Sequence, residues 1–268
     1  MLRLAFERRG RRTVLTERRF TLPLQALECI ELDGSGVGTV MLLNPTGGVV
    51  GGDVLETSVS LGPGSRVCLT TPSATRVYRT AGPPAVQRFR ATLGEGAQLE
   101  YLPGHLIPSP GARLKQTTEV TLAPGARLLL VDAWAIGRVA REERWRFDEL
   151  DLGLAVSDER GLLLRERCLL DGVARDGLGG TEGFPYVASF AAFAPTAESW
   201  EDLARELSRS VDGLGDGTRV GVTVLGRGGL LSRLLCPSAP ALDASIRALW
   251  ACCRTRLLGL PPLDLRKF

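Results

Sequence analysis

The chain has 268 residues, 44% of them hydrophobic and 24% charged, and its formal net charge at pH 7 is +3. This length suffices for a sizeable core, and we expect a single domain. The weak net charge, the absence of an RNA-binding aromatic motif and the absence of an apolar run of about 20 residues argue against a nucleic-acid-binding protein and a helical membrane protein.

The N-terminal segment is rich in arginine. Residues 1–20 hold seven arginines and two glutamates, a bias that transit peptides and nucleic-acid-binding arms share. Leu2, Leu4 and Phe6 nevertheless stand at every second position. We therefore predict a half-buried strand followed by a charged turn at 8–12.

The stretch NPTGGVVGGD, residues 44–53, combines four glycines with one acid. It lacks the lysine and the following helix of a phosphate-binding loop, because a strand is predicted at 54–61. We expect the glycines to permit sharp turns and close backbone packing. They are Gly47, Gly48, Gly51 and Gly52. Asp53 would then either cap the amides of the adjacent turn or present a fixed negative charge to a cation.

A glycine turn between two strands recurs at residues 61–67, 93–99 and 122–128, at intervals of 32 and 29 residues. Repeats of this period indicate stacked supersecondary units that bury their apolar faces against each other. A diverged fourth unit is predicted around the turn at 157–161. The fold prediction is therefore mainly β, with a scaffold of stacked, β-helix-like coils over about residues 1–190.

Helical periodicity occurs only in the C-terminal part. One helix is predicted over 196–207, capped by Thr196 or Ser199, and a second over 241–257. Together with an intervening strand, these two α-helices predict an α+β cap over about 191–268 that belongs to the same domain.

The chain is poorly equipped for catalysis by a nucleophile and a base. His105 is its one histidine, and no motif of a serine hydrolase or a zinc protease accompanies it. A hydrolase with two catalytic carboxylates stays open, because a β scaffold can bring distant acids together. The candidate acids are Asp53, Asp132, Glu142, Glu143 and Glu166.

A permanent site for nickel or zinc would need several imidazole or thiolate ligands. The six cysteines form no CxxC pair, and with no secretory leader before them we interpret them as small buried hydrophobes of a cytoplasmic protein. Adjacent Cys252 and Cys253 would point about 100° apart on a helix, which disfavours a shared metal. Carboxylates and water would hold a metal ion weakly, which suits an ion in transit.

Four motifs occur in order: NPTGGVVGGD, LTTPSATRVYR at 69–79, Leu102-Pro103 with PGA at 110–112, and Asp132 with Gly137-Arg138. They closely resemble the UreD (UreH) family of urease accessory proteins, whose pattern in outline is PPGGIVGGD, TTPxATKxYRS, LPxExxxxxxGA and D…GRxxxGExF. The segment LRER at 164–167 and the tail at 265–268 match more loosely. Besides the four glycines, the matching positions are Thr71, Pro72, Thr75, Tyr78, Arg79, Gly137, Arg138 and Glu143.

The resemblance implies a non-catalytic scaffold with no permanently bound cofactor. Such a scaffold binds the urease apoenzyme and UreF, reaches the GTPase UreG through UreF, and guides nickel to the urease active site. It also implies an internal polar passage for nickel in transit, with Asp53, Asp132 and Glu166 at the matching positions of its lining. Binding UreF would require a large exposed apolar surface, so we expect poor solubility without UreF.

Three positions depart from the family pattern. Gly104-His105 replaces a polar or acidic pair, so that His105 is a further candidate nickel ligand. Glu142 replaces a glycine, which would cost about 1 kcal/mol if the backbone there is left-handed. Asn44 stands where the family commonly has histidine.

The main alternative is a β-solenoid hydrolase of carbohydrates, with two facing carboxylates in a surface cleft and a raised pKa on one of them. An adhesive β-repeat protein is a weaker alternative, because it would need export.

Overall fold

The computed structural model describes residues 1–195 and 199–265. The candidate cap Thr196 and the tail residues 266–268 lie outside these ranges. The strands in chain order are β1 (Leu2–Arg9), β2 (Arg12–Phe20), β3 (Gln25–Ala26), β4 (Gly38–Leu43), β5 (Gly48–Val49), β6 (Val54–Leu61), β7 (Arg66–Thr70), β8 (Thr75–Val77), β9 (Ala85–Leu93), β10 (Gln98–Leu102), β11 (Leu106–Pro108), β12 (Arg113–Leu122), β13 (Arg127–Ala135), β14 (Gly137–Arg138), β15 (Glu143–Arg144), β16 (Glu149–Asp158), β17 (Gly161–Leu170), β18 (Tyr186–Phe193), β19 (Arg219–Val224) and β20 (Leu230–Cys236). The helices are α1 (Trp200–Asp212) and α2 (Ala239–Leu258), and a 3-10 turn spans Val139–Arg141.

The strands form two large sheets and a short third face. The first sheet has the order β17-β16-β12-β9-β6-β1-β2, and the second has the order β19-β20-β18-β13-β10-β7-β4-β3. The chain crosses repeatedly from the first sheet to the second, and β5, β8 and β11 pair in parallel along the third face on the way back. This alternation builds stacked coils, which confirms the predicted fold class.

The repeated glycine turns lie directly on top of one another. Leu61 pairs with Leu93, and Leu93 pairs with Leu122, in the parallel first sheet. The amide of Gly64 donates to the carbonyl of Glu95 at 2.8 Å, and the amide of Gly96 donates to that of Pro124 at 3.0 Å. The repeats at 61–67, 93–99 and 122–128 are therefore successive coils, as predicted.

The fourth unit differs from the first three. β16 continues the parallel first sheet next to β12, but β17 turns back and pairs antiparallel with β16 in the same sheet. The turn after Asp158 thus closes a hairpin and does not lead to the second sheet. β18 then joins the second sheet antiparallel to β13, and the predicted division near residue 190 falls inside β18.

Three apolar clusters hold these layers together. One lies between the two sheets and includes Leu4, Leu69 and Leu99. A second lies between the second sheet and the two helices. A third lines the third face, around Trp134. Because inward residues alternate with outward ones along each strand, the position of a polar residue in this alternation decides whether it faces the inter-sheet space.

The two helices cover the outer face of the second sheet. Ser199 caps α1 by accepting the amide of Asp202 at 3.2 Å, so α1 begins at residue 200 and runs to 212, later than predicted at both ends. In α2, Leu249, Trp250 and Cys253 stand at helical spacing and are buried against the sheet, and Ile246 on the same face is partly buried. Neither helix of the described ranges is long and apolar enough to cross a membrane.

A buried charge network fixes α2 to the sheet. Arg254 of α2 and Glu100 of β10 are both fully buried, and Nε of Arg254 lies 3.1 Å from Oε2 of Glu100. Trp250 donates its indole N–H to the same oxygen, and Arg254 also pairs with Asp33 at 2.9 Å. Burial raises the pKa of Glu100, although the Arg254 guanidinium partly opposes that effect. The network therefore depends on each partner being present.

A short hairpin, β14–β15, contains the Gly137-Arg138 motif. A Cβ at Gly137 would lie 1.9 Å from the carbonyl oxygen of Glu143, so only glycine fits there. The guanidinium of Arg138 binds both carboxylate oxygens of Glu143, which lowers the pKa of Glu143. Glu142 has φ 59 and ψ 23, which is left-handed backbone. The turn has therefore kept the geometry that glycine favours although the residue has changed.

We predict that Glu100→Gln lowers the free energy of unfolding by about 3 kcal/mol, because it removes the buried anion and leaves Asp33 as the one remaining carboxylate partner that the structure describes for Arg254. Glu119→Gln is the matched control, since Glu119 pairs with Arg90 in an exposed ion pair and should lose less than about 1 kcal/mol. Urea denaturation of both variants measures the difference. Equal losses would contradict a special role for the buried network.

We predict that Glu142→Gly raises the free energy of unfolding by up to about 1 kcal/mol, because glycine removes the cost of left-handed backbone. Glu159→Gly is the control: Glu159 also lies in a turn but does not have positive φ, so added chain entropy should destabilise it. Thermal melting distinguishes the two. A lower melting temperature for Glu142→Gly would show that the glutamate side chain stabilises the turn.

Candidate functional site

The sequence motifs meet on the third face of the coils. Gly48 of β5 pairs with Arg76 of β8, and Thr75 of β8 pairs with Leu106 of β11. The first three motifs therefore form neighbouring turns, although about 30 residues separate each from the next along the chain. Their loops surround the mouth of a space between the two sheets.

The glycines of NPTGGVVGGD are required by contact and by conformation. A Cβ at Gly48 would lie 2.4 Å from the carbonyl oxygen of Arg76, and Gly51 is similarly crowded by Thr80. Gly47 and Gly52 both have positive φ, 74 and 88 respectively, which glycine adopts without strain. These observations confirm the predicted sharp turns and close packing.

Asp53 closes the turn that follows these glycines. Its Oδ2 accepts the amide of Val50 at 3.0 Å, and its own amide donates to the Val50 carbonyl at 3.1 Å. Asp53 does not line the space between the sheets. Its carboxylate thus has the turn-capping role, and a role as a nickel ligand stays a prediction.

The second and third motifs are joined by a close backbone contact. A Cβ at Gly104 would lie 2.4 Å from the carbonyl oxygen of Ser73, and the Gly104 amide donates to Oγ1 of Thr71 at 2.8 Å. The amide of Thr75 donates to the carbonyl of His105 at 2.9 Å. Glycine at position 104 therefore allows the two loops to form one wall of the mouth.

Behind this mouth lies a cavity of about 140 Å³ between the two sheets. The polar residues that face it include Asn44, Thr57, Gln87, Tyr101, Gln116, Thr118 and Asp132. A cavity of this volume has room for a few water molecules.

Asp132 contributes a carboxylate to the lining of this cavity. Gln116 donates an amide N–H to Oδ1 of Asp132 at 3.1 Å, so the two side chains join the sheets across the cavity. Burial among protein atoms raises the pKa of Asp132 to about 6, and the nearby Glu166 carboxylate contributes to the increase. At neutral pH the group is mostly ionised but its charge is poorly solvated.

Gln87 adds an acceptor without a partner. It neighbours Gln116 in the first sheet, and its buried amide oxygen forms no hydrogen bond with any part of the chain that the structure describes. Buried carbonyl oxygens without a partner are uncommon in proteins. The cavity therefore offers an amide oxygen and a carboxylate, both of which can bind water or a cation.

Glu166 faces inward from β17 but is not among the residues that line the cavity. It stands in line with Leu154 and Thr118 in the first sheet, whose side chains face inward. Its carboxylate pairs with Arg233 at 2.5 Å, and the Arg233 side chain is 69% exposed. Asp132 and Arg233 flank Ser189 in the second sheet. The polar groups thus form a row from the cavity past Asp132 to Glu166, which is mostly buried and is linked to the surface by Arg233.

His105 lies outside the cavity, against helix α2. Its ring meets Tyr186 edge to face, with 5.5 Å between ring centroids. Burial lowers the pKa of His105, and the Asp243 carboxylate partly opposes this. Its role as a nickel ligand stays a prediction. Across residues 1–195 and 199–265, no three His, Cys, Asp or Glu side chains lie together so as to hold a metal ion.

The predicted site residues therefore separate into two groups. Asp132 and Glu166 lie on the polar row, whereas Asp53 caps a turn and Glu143 is bound by Arg138. The residues that sequence reasoning missed are Gln87, Tyr101, Gln116 and Thr118. The sequence pattern that could have identified them is a polar side chain at an inward position of a strand whose other inward residues are mostly apolar.

The volume of the cavity argues against the hydrolase alternative. Asp132 does have a raised pKa and a neighbouring acid, as that alternative requires. The cavity of about 140 Å³ at Asp132 is, however, smaller than the roughly 300–1,000 Å³ of small-molecule sites. A sugar chain therefore does not fit in it.

Comparisons with known proteins agree with the motif resemblance. A family profile described as UreD urease accessory protein matches residues 1–267. A urease accessory protein UreD of Alkalilimnicola ehrlichii is 35% identical over 267 residues, covering 99% of this chain and 89% of its own. The UreD protein of Pseudomonas putida strain GB-1 is 37% identical over 262 residues, covering 97% of this chain and 90% of its own. The chain therefore belongs to the UreD family of urease accessory proteins, with a role in urease maturation and not in catalysis of its own.

Proposed function

We propose that this chain binds the urease apoenzyme together with UreF, reaches UreG through UreF, and guides nickel through its inter-sheet cavity to the urease active site. It would do so in the cytoplasm, with nickel as cargo and no resident cofactor. The observation that carries the proposal is the polar row from the loop mouth through Asp132 to Glu166.

The chemistry of the polar row fits a dication in transit. The Asp132 carboxylate and the unpartnered Gln87 oxygen are hard oxygen donors, which bind a divalent ion less tightly than imidazole or thiolate ligands do. A dication near Asp132 would offset the burial that raises its pKa and would favour the ionised form. Weak binding at successive positions allows an ion to enter and to leave.

The surface of the N-terminal coil has features that favour binding of a protein partner. Exposed large apolar residues are concentrated between positions 20 and 32. They are Phe20, Leu22, Leu27, Ile30 and Leu32, with exposed fractions between 43% and 72%. A concentration of exposed apolar side chains is a common feature of docking sites. We assign it to UreF, whose absence should make the isolated chain poorly soluble.

We predict that Asp132→Asn lowers the nickel content and activity of urease several-fold in cells that express urease and its accessory proteins. Asparagine keeps the size of the side chain and an acceptor for Gln116 but removes the charge. Pull-down of UreF and urease should be unchanged. Asp151→Asn is the matched control, because Asp151 faces outward and pairs with Arg167 at 2.9 Å.

Two outcomes would reject parts of this proposal. If Asp132→Asn activates urease as well as the wild type does, the cavity is not the route of nickel. If deletion of the whole chain leaves urease fully loaded, the maturation role itself fails. Asp53→Ala tests the remaining candidate ligand: retained complexes with reduced nickel delivery would support a role in transit.

We also predict a pH-dependent gain of stability in Asp132→Asn. An unfolded aspartate titrates near pH 4, and Asp132 titrates near pH 6 in the fold. The folded chain therefore binds more protons between these values, so the stability of the wild type falls as the pH rises from about 4 to 6. The variant should exceed the wild type by about 2 kcal/mol at pH 7.5 and match it at pH 4. Urea denaturation at both pH values measures this, and a difference independent of pH would contradict it.

A further inference from the structure

Three arginines converge at the turns of the coils, away from the cavity mouth. Arg66 begins β7 and Arg127 begins β13, and the two flank Gln98 of β10 in the same register. Arg8 of β1 is linked to them through Thr13, which pairs with Arg8 and whose hydroxyl accepts the amide of Arg66 at 2.8 Å. We refer to Arg8, Arg66 and Arg127 as the basic cluster.

The basic cluster lacks carboxylate partners. Within the described ranges, the guanidinium groups of Arg66 and Arg127 form no hydrogen bond or ion pair, and Arg8 bonds only to the carbonyl of Gly10. All three side chains are half-buried. Burial and the positive charges of Arg8 and Arg127 lower the pKa of Arg66. Such an arrangement destabilises the chain unless an external anion compensates it.

None of the nearby acids pairs with the basic cluster, and two of them are engaged elsewhere. Glu100 lies two residues after Gln98 on β10, on the same face, and is bound to Arg254 and Trp250. Glu31 pairs with Arg12 at 3.2 Å and accepts the amide of Gly36. Glu95, in the turn between the two arginines, is exposed and is not among the charges that shift the pKa of Arg66.

The cluster continues into a surface depression of about 780 Å³. Its lining consists of Arg8, Arg11, Arg12, the Glu31 that pairs with Arg12, and residues 34–36. Neighbouring strands are about 4.8 Å apart, so the Cα atoms of Arg66 and Arg127 are roughly 10 Å apart. The whole basic surface is therefore too long for one phosphate group, and it matches an extended peptide, which advances about 3.3 Å per residue.

We propose that the basic cluster and the adjoining depression are a docking surface for an extended acidic polypeptide segment of a partner protein. In a polyproline II segment, which has three residues per turn and rises about 3.1 Å per residue, carboxylates three residues apart lie on one face about 9 Å apart, close to the spacing of Arg66 and Arg127. Arginine pairs with carboxylates through two parallel hydrogen bonds, which gives such docking its orientation. This surface is independent of the nickel route, since it lies at the coil turns and not on the third face.

A labelled peptide tests the proposal with the full chain. The probe is a fluorescent ten-residue peptide of glutamate and serine with glutamates at every third position, and its glutamine counterpart is the uncharged control. Fluorescence anisotropy should show binding of the glutamate peptide alone, weakened by added salt. In the double variant Arg66→Gln/Arg127→Gln, affinity should fall by at least about tenfold, as the loss of two charge-assisted hydrogen bonds implies.

The control double variant is Arg165→Gln/Arg209→Gln, which removes the same charge from two exposed arginines elsewhere. Its affinity should change by less than about twofold. Equal weakening of both double variants would reduce the effect to net charge and overturn the proposal. So would full competition by millimolar inorganic phosphate, or equally tight binding of a single-stranded oligonucleotide.

Stability provides a second measurement. Because the basic cluster repels itself, Arg66→Gln/Arg127→Gln should melt at a higher temperature than the wild type, and Arg165→Gln/Arg209→Gln should melt at the same temperature. Loss of peptide binding together with a gain in stability is the result expected of a surface kept for a partner. A lower melting temperature for the cluster variant would show that these arginines stabilise the fold, and it would overturn the proposal.

Discussion

Backbone hydrogen bonding between neighbouring coils is the constraint on which the structure depends. Each central strand of the first sheet pairs in parallel with the strands of the coils before and after it, in continuous register from β6 through β9 and β12 to β16. Register in a sheet decides which side chains face inward, because a shift of one residue would turn each of them outward. The tight glycine turns at the ends of the strands preserve this register. The polar row, the cavity mouth and the basic cluster are all products of the same stacking.

Stacking also explains how a polar cavity can persist inside an apolar core. Gln116 and Asp132 come from opposite sheets and satisfy each other across the gap, whereas Leu4, Leu69 and Leu99 fill the space between the sheets elsewhere. A buried carboxylate with a raised pKa opposes folding, so its presence in this interior is better explained by function than by stability. The buried Glu100–Arg254 network differs in this respect, because its charges are paired and it joins a helix to a sheet.

Much of the fold could be predicted from the sequence because its signals are local. The glycine turns repeat at a nearly constant interval, and the apolar residues of α2 follow helical spacing. The fourth unit could not be predicted fully, because a turn that reverses the chain within one sheet resembles a turn that leads to the next sheet. In the site, the first three motifs identified the loops around the mouth, and the fourth identified Asp132. Gln87 and Gln116 lie on strands between the motifs, and only the register of distant coils shows that they share a cavity with Asp132.

The coil architecture has a consequence for how the chain forms during synthesis. Each coil pairs with a neighbour about 30 residues away, so the N-terminal coils can stack while the rest of the chain is still on the ribosome. Glu100, however, meets Arg254 across 154 residues of sequence. Until α2 emerges, this carboxylate lies on an uncovered sheet face together with the apolar surface that the helix later buries. The nascent scaffold is therefore most vulnerable to aggregation just before its last helix is complete, and shielding of the second sheet by a chaperone would matter most in that interval.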